Sequence, residues 1–193
     1  MKAEPGLYAA LRAERDFSGS ELNVEGAVLV GDALRLFQRG NGAARGGLSP
    51  VNATCDVPWS YFVDLAGGRP VGTPSVGAVA QFDLGNVSGI PLTFTDATVT
   101  TSGDVMYLAA AEESPDAVTD GAVVGAALGV TRTTSRGIEA RYTPLVGENG
   151  VPALEKAEGV ALGESANQVY LVLDMDDPGR ASELCLVELS GPW

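Results

Sequence analysis

Three carboxylates stand where apolar segments begin: Glu25 in LNVEGAVLV, Asp96 in FTDATVT and Glu158 in EKAEGVAL. If these openings converge, the acids repel one another, and the geometry survives only with protons, with Arg or Lys partners, or with a cation between them. The chain contains no histidine. That removes histidine general bases, Ser-His-Asp triads and imidazole metal sites, and leaves hard oxygen ligands, which suit Ca²⁺ or Mg²⁺ rather than zinc. Glu25, Asp96 and Glu158 are therefore the candidate metal ligands. The competing expectation is that each acid caps a turn by accepting backbone N–H groups at a strand entrance, which needs no ligand.

A second polar set follows the paired segments: Gln38 and Arg39 after the first, Glu112 and Glu113 after the second, Asp174, Asp176 and Asp177 after the third. Arg39 beside acids is suited to grip a phosphate or carboxylate through two parallel hydrogen bonds. Arg39, Gln38, Glu112 and Asp174 are the candidate substrate-binding residues, against the plainer expectation of a solvated loop rim. No residue is assigned a catalytic role: Ser49, Ser60 and Ser114 lack a nucleophile-elbow context, and no histidine exists to activate them. The acids of DMDDPG, Asp174 to Gly179, depart from the calcium-loop pattern, because Cys185 stands where a bidentate Glu belongs.

What must position these residues is a series of strands. Short runs rich in Val, Leu, Tyr and Phe, among them GAVLV, ALRLFQR, WSYFVDL, VAQFDL, VMYLAAA, QVYLVLD and LCLVEL, are separated by Gly, Pro, Asp and Ser clusters. Only GLYAALRAERD has a helical pattern, and it reads equally as an outer strand of a preceding unit. GAVVGAALGV carries small residues at a four-residue period, but it is about half the length a bilayer requires, so it reads as a packed strand with close backbone approach. The class is all-β. With 193 residues, 45% of them hydrophobic, the chain can bury a sizeable core. Its formal net charge of -13 repels phosphate backbones, which argues against nucleic acid and favours cations and cationic partners. Cys55 and Cys185 belong to no metal or redox spacing and read as buried free thiols.

Internal repetition supplies the architecture. Leu22–Gly40, Phe94–Glu112 and Glu155–Asp177 each read acid, small residue, apolar strand, polar turn, apolar strand, with Glu25, Asp96 and Glu158 aligned as leading acids. Further strand pairs lie between them, so each unit has the content of a four-stranded propeller blade, with the long loops RGNGAARGGLSPVNAT and EESPDAVTDG accounting for its extra length. The expected organisation is one β-propeller-like domain over 1–193, with about three blades of four antiparallel strands, units at 22–93, 94–153 and 154–189, and 1–21 as the remnant of a preceding blade or an N-terminal arm.

LNVEGAVLVGDALRLFQRGNG, GIPLTFTDATVTTSGDVMYLAAAEESPDAVTDGAVVGAALGV and KAEGVALGESANQVYLVLDMDDPGRASELCLVEL together resemble a bacterial β-propeller family of unknown function. That family is similar in turn to phytase-like propellers and to the domain called esterase-like activity of phytase. The likeness runs from Leu22 to Leu189, and its phytase part rests on the Glu-Gly strand opening. It implies a divalent-metal-dependent phosphoester or ester hydrolase-like protein, with Glu25, Asp96 and Glu158 holding Ca²⁺ or Mg²⁺ and Arg39 orienting a small-molecule anion. The alternative is a non-catalytic propeller that binds a protein or small-molecule partner. Three blades fall short of the four or more that close a ring, so a homo-oligomer or a fragment of a longer propeller is expected. MKAEPGLYAALRAERD lacks the apolar core of a signal peptide, which reads as cytoplasmic, or as periplasmic or secreted if the N-terminus is truncated.

Overall fold

A computed structural model describes residues 5–114, 121–135, 137–175 and 177–191. The described residues form three antiparallel sheets, none closed on itself.

The first sheet contains β1 (Val24–Val30), β2 (Ala33–Gln38), β3 (Asn52–Pro58) and β4 (Gly77–Phe82), in the order β1-β2-β3-β4. Val30 pairs with Ala33 across a two-residue turn whose first residue, Gly31, has φ 60, a value that glycine reaches without strain. Two expectations fail here. WSYFVDL is a helix, α3 (Trp59–Ala66), and the third strand comes instead from the residues before it, beginning in the last three of the loop expected at RGNGAARGGLSPVNAT. A continuous apolar run does not distinguish helix from strand by periodicity alone. In α3, Tyr61 and Leu65, four apart, pack on the sheet together with Phe62, and Gly67 and Gly68 end the helix. β3 was hidden by its Asn, Thr and Asp, which look like turn residues. Its Asp56 lies directly across from Arg35 of β2, and the two form a bidentate pair at 2.7 and 2.8 Å.

The N-terminal segment is helical rather than the remnant of a blade. α1 (Pro5–Ala13) and α2 (Arg15–Ser18) bury Leu11 and Phe17 against Leu36, Cys55 and Val57 of the first sheet. Cys55 is fully enclosed there, and burial pushes its thiol up to about 12.

The second sheet has β5 (Asn86–Val87), β6 (Ile90–Val99), β7 (Val105–Glu112), β8 (Val123–Thr134) and β9 (Gly137–Pro144) in chain order. The unit boundary expected between residues 93 and 94 falls inside β6. β7 is buried along its whole length because it is sandwiched. Tyr107, Ala109 and Ala111 face a core shared with the first sheet, whereas Met106 and Leu108 face one shared with the third. GAVVGAALGV is the packed strand β8: the Tyr107 ring lies over Gly129, which leaves no room for a side chain there.

The third sheet is smaller than expected, with three strands: β10 (Lys156–Leu162), β11 (Gln168–Asp174) and β12 (Glu183–Glu188). β1 and β10 both pack on β6. Between the first two sheets, Phe94 meets Phe37, Tyr107 and Phe82 edge to face with centroids 5.2, 5.1 and 5.6 Å apart. Between the second and third the contact is aliphatic, Met106, Leu108 and Leu128 against Val160, Val169 and Leu171.

Candidate functional site

β1 and β10 open with a break in register, between Val24 and Gly26 and between Ala157 and Gly159, and β6 carries one at its middle, between Phe94 and Asp96. A β-bulge carries one residue without a cross-strand partner and re-aims its side chain. The residues so placed are Glu25, Thr95 and Glu158. The structural repeat thus differs by one residue from the alignment of leading acids, because Thr95 and not Asp96 is the counterpart of Glu25 and Glu158. The position after the bulge holds Gly26, Asp96 and Gly159; at Gly26 a side chain would press on the backbone of β6, 3.2 Å from Ala97 N.

Charged groups gather around these openings. Arg39 follows β2, its side chain 5% exposed, and its guanidinium reaches across to the second sheet. Nε donates to Thr93 Oγ1 at 3.3 Å, Nη2 forms an ion pair with Glu112 Oε2, and Nη1 lies 3.7 Å from Glu25 Oε1. Glu112, at the end of β7 with its side chain 1% exposed, also accepts from Ser114 Oγ and from Gly121 N, both at 2.6 Å. Burial works against its charge, but these hydrogen bonds and Arg39 prevail and hold the carboxyl below the usual range.

On the other side of β6, the buried Lys156 places Nζ 3.3 Å from Glu158 Oε1, an ion pair. Burial raises the Glu158 pKa; Lys156 and Arg39 pull it back, while Glu25 adds to the rise.

The remaining candidates divide. Asp96 does not join the pair: its Oδ2 accepts from Val160 N at 2.8 Å, tying β6 to β10, and burial raises its pKa against that bond and one from Ala97 N. This is the backbone-capping role. Gln38 is fully enclosed and its amide is engaged with backbone, Oε1 accepting from Asn23 N at 2.8 Å and Nε2 donating to Glu21 O and Arg39 O at 2.8 and 2.9 Å. Asp174 is exposed and lies across from Lys156 in register. Among the described residues, no group of three Cys, Asp or Glu side chains is arranged to hold an ion. Of DMDDPG, Asp176 lies outside the described residues.

Sequence reasoning missed Lys156, Thr93, Thr95 and Asn52. Thr95 Oγ1 donates to Ala157 O at 2.7 Å. Asn52 bridges the first two sheets, accepting from Gly40 N at 3.0 Å and Phe94 N at 3.3 Å and donating to Leu92 O at 2.9 Å. A signal for three of them was present. Thr93 and Thr95, and Lys156 and Glu158, are polar pairs two residues apart in largely apolar strands, the period of one strand face.

Fold and site together define an all-β protein of three serial antiparallel sheets, with a buried ion-pair network where their strands open. The chain belongs to the Family of unknown function (DUF6910), which matches it over residues 3–178. No curated protein and no solved structure matches it. Among the described residues no helix is long and apolar enough to cross a membrane.

Proposed function

We propose that the three sheets are successive blades of a β-propeller-like arc and that the protein is a non-catalytic binding module. The observation that carries this reading is the internal use of the carboxylates gathered around the strand bulges. Glu112 has Arg39, Ser114 and Gly121; Asp96 has Val160 and Ala97; Glu158 has Lys156. Carboxylates neutralised from within hold sheets together, and they offer no open ligand set of the kind that Ca²⁺ or Mg²⁺ requires.

One observation favours the hydrolase-like reading instead. Glu158 Oε1 is buried, and the group is close enough to Glu25 to feel its charge. A divalent cation held by Glu25 and Glu158 would relieve that repulsion and, once bound, would supply Lewis acidity toward a phosphoryl or carbonyl oxygen. Asp96 would have to surrender its bond to Val160 to join it.

Thermal unfolding of chelated protein, with and without added Ca²⁺ or Mg²⁺, separates the two. The binding-module reading expects no cation-dependent rise in Tm. A rise in wild type that Glu25→Gln abolishes would replace it with the metal-dependent one, and phosphoesterase and esterase assays would follow.

A further inference from the structure

The third sheet carries a groove remote from the ion-pair network. One wall is the segment 145–155, fixed to the second sheet by Leu145 N donating to Ala126 O at 2.8 Å. It folds into a small hairpin, with Val146 bridged to Pro152 and Gly147 N donating to Val151 O at 2.9 Å. The other wall is β12, which among the described residues pairs with β11 alone and leaves its far edge without a strand partner. The cavity between them measures about 710 Å³.

Its floor is apolar: Leu145, Leu171, Leu173, Cys185 and Val187. Consecutive residues of β12, Cys185 through Glu188, all line it. Neighbours in a strand point to opposite faces, so one opening touches them all only by running along the strand edge. The lips are apolar as well, with Val146 59% and Leu186 51% exposed. Glu148, Glu155, Glu183 and Glu188 stand among the lining residues, and no Lys or Arg does among those described. Arg180 reaches Glu183 at 3.5 Å, but both are solvent-exposed and the contact is screened.

We infer that this groove docks an extended segment of a partner protein in which apolar and basic residues alternate. The inference rests on the binding-module reading and names its partner class. β12 spans six residues, about 20 Å of strand, which suits an added strand better than a compact ligand. Main-chain groups of the segment would pair with the open edge, its apolar side chains would enter the floor, and its basic ones would meet the glutamates. Charge complementarity also disfavours a second copy: two chains of net charge -13 would bring glutamates against glutamates.

The test uses fluorescence anisotropy with two short synthetic peptides, one alternating valine and lysine, the other valine and glutamate. The lysine peptide is expected to bind wild type, to weaken on the order of ten-fold in the exposed double variant Glu183→Lys/Glu188→Lys and again in high salt, and the glutamate peptide not to bind. Failure of the lysine peptide to bind, or equal binding by the double variant, overturns the inference. So does sedimentation showing a wild-type dimer that the double variant dissociates, which would make a second copy the occupant. None of these results bears on the cation experiment, so the inference and the reading beneath it fail separately.

Discussion

The two junctions that flank β6 bury charge in different ways. At the junction with the first sheet, Arg39 and Glu112 form a buried pair in which Glu112 accepts from three donors. At the junction with the third sheet, Lys156 and Glu158 form an ion pair. The carboxyl of Glu112 is held low and that of Glu158 is pushed high. Burial opposes the charge in both; around Glu112 the hydrogen bonds and Arg39 outweigh it, whereas around Glu158 the cations Lys156 and Arg39 do not, and Glu25 adds to the rise. An enclosed carboxylate stays ionised where donors complete its coordination, and resists ionisation where they are fewer and a like charge is near.

The largest effect that tests this comparison is loss of one buried partner. Arg39→Met is expected to cost about 3–5 kcal/mol in urea unfolding, because Glu112 is left charged and enclosed. Lys156→Met is expected to cost clearly less, since Glu158 is 27% exposed and water can take the place of its partner. Equal costs would erase the distinction between the junctions.

The neutral stitches make a second, smaller contrast. Asn52 serves three backbone groups, two of them across the first junction, so Asn52→Ala strands half-buried N–H and C=O groups and is expected to cost about 1–3 kcal/mol. Across the second junction, Thr95 makes one bond, to Ala157 O. Thr95→Val keeps the shape and is expected to cost about 0.5–1.5 kcal/mol. A Thr95→Val loss as large as that of Asn52→Ala, in the same unfolding measurement, would mean that the second junction depends on this bond as the first depends on Asn52.

How much of this was legible in the sequence depends on what each signal encodes. The strands of the second sheet were readable because apolar runs bounded by turn residues have few other solutions, and Gly129 under Tyr107 bears out the close approach read from GAVVGAALGV. α3 and β3 were not, because WSYFVDL satisfies both periods and NATCDVP carries turn-forming types, of which Asp56 here faces the cross-strand Arg35. At the site, Glu25 and Glu158 were found, but Asp96 was aligned with them by chemical likeness where the bulge aligns Thr95. A one-residue slip in a strand exchanges its faces, so an alignment by residue type goes wrong at the place where a bulge adds a residue. Arg39 and Glu112 were each singled out; their pairing across 73 positions of chain depends on how two sheets pack, which no local pattern carries.

The pH dependence of stability sharpens the comparison without removing any packing. Glu112 has its folded pKa below the unfolded value of about 4.3. It contributes stability present above that value and lost as pH falls through the folded one. Glu158 has its folded pKa raised, so its contribution is present below about 4.3 and lost as pH rises through the folded value. The stability difference between wild type and Glu112→Gln should therefore shrink toward acid, while wild type should lose ground to Glu158→Gln as pH rises from about 4 toward 7. Urea midpoints across that range read both slopes. Slopes of the same sign would mean that one junction is solvated much as the other is, and that completed hydrogen bonding is not what separates these two glutamates.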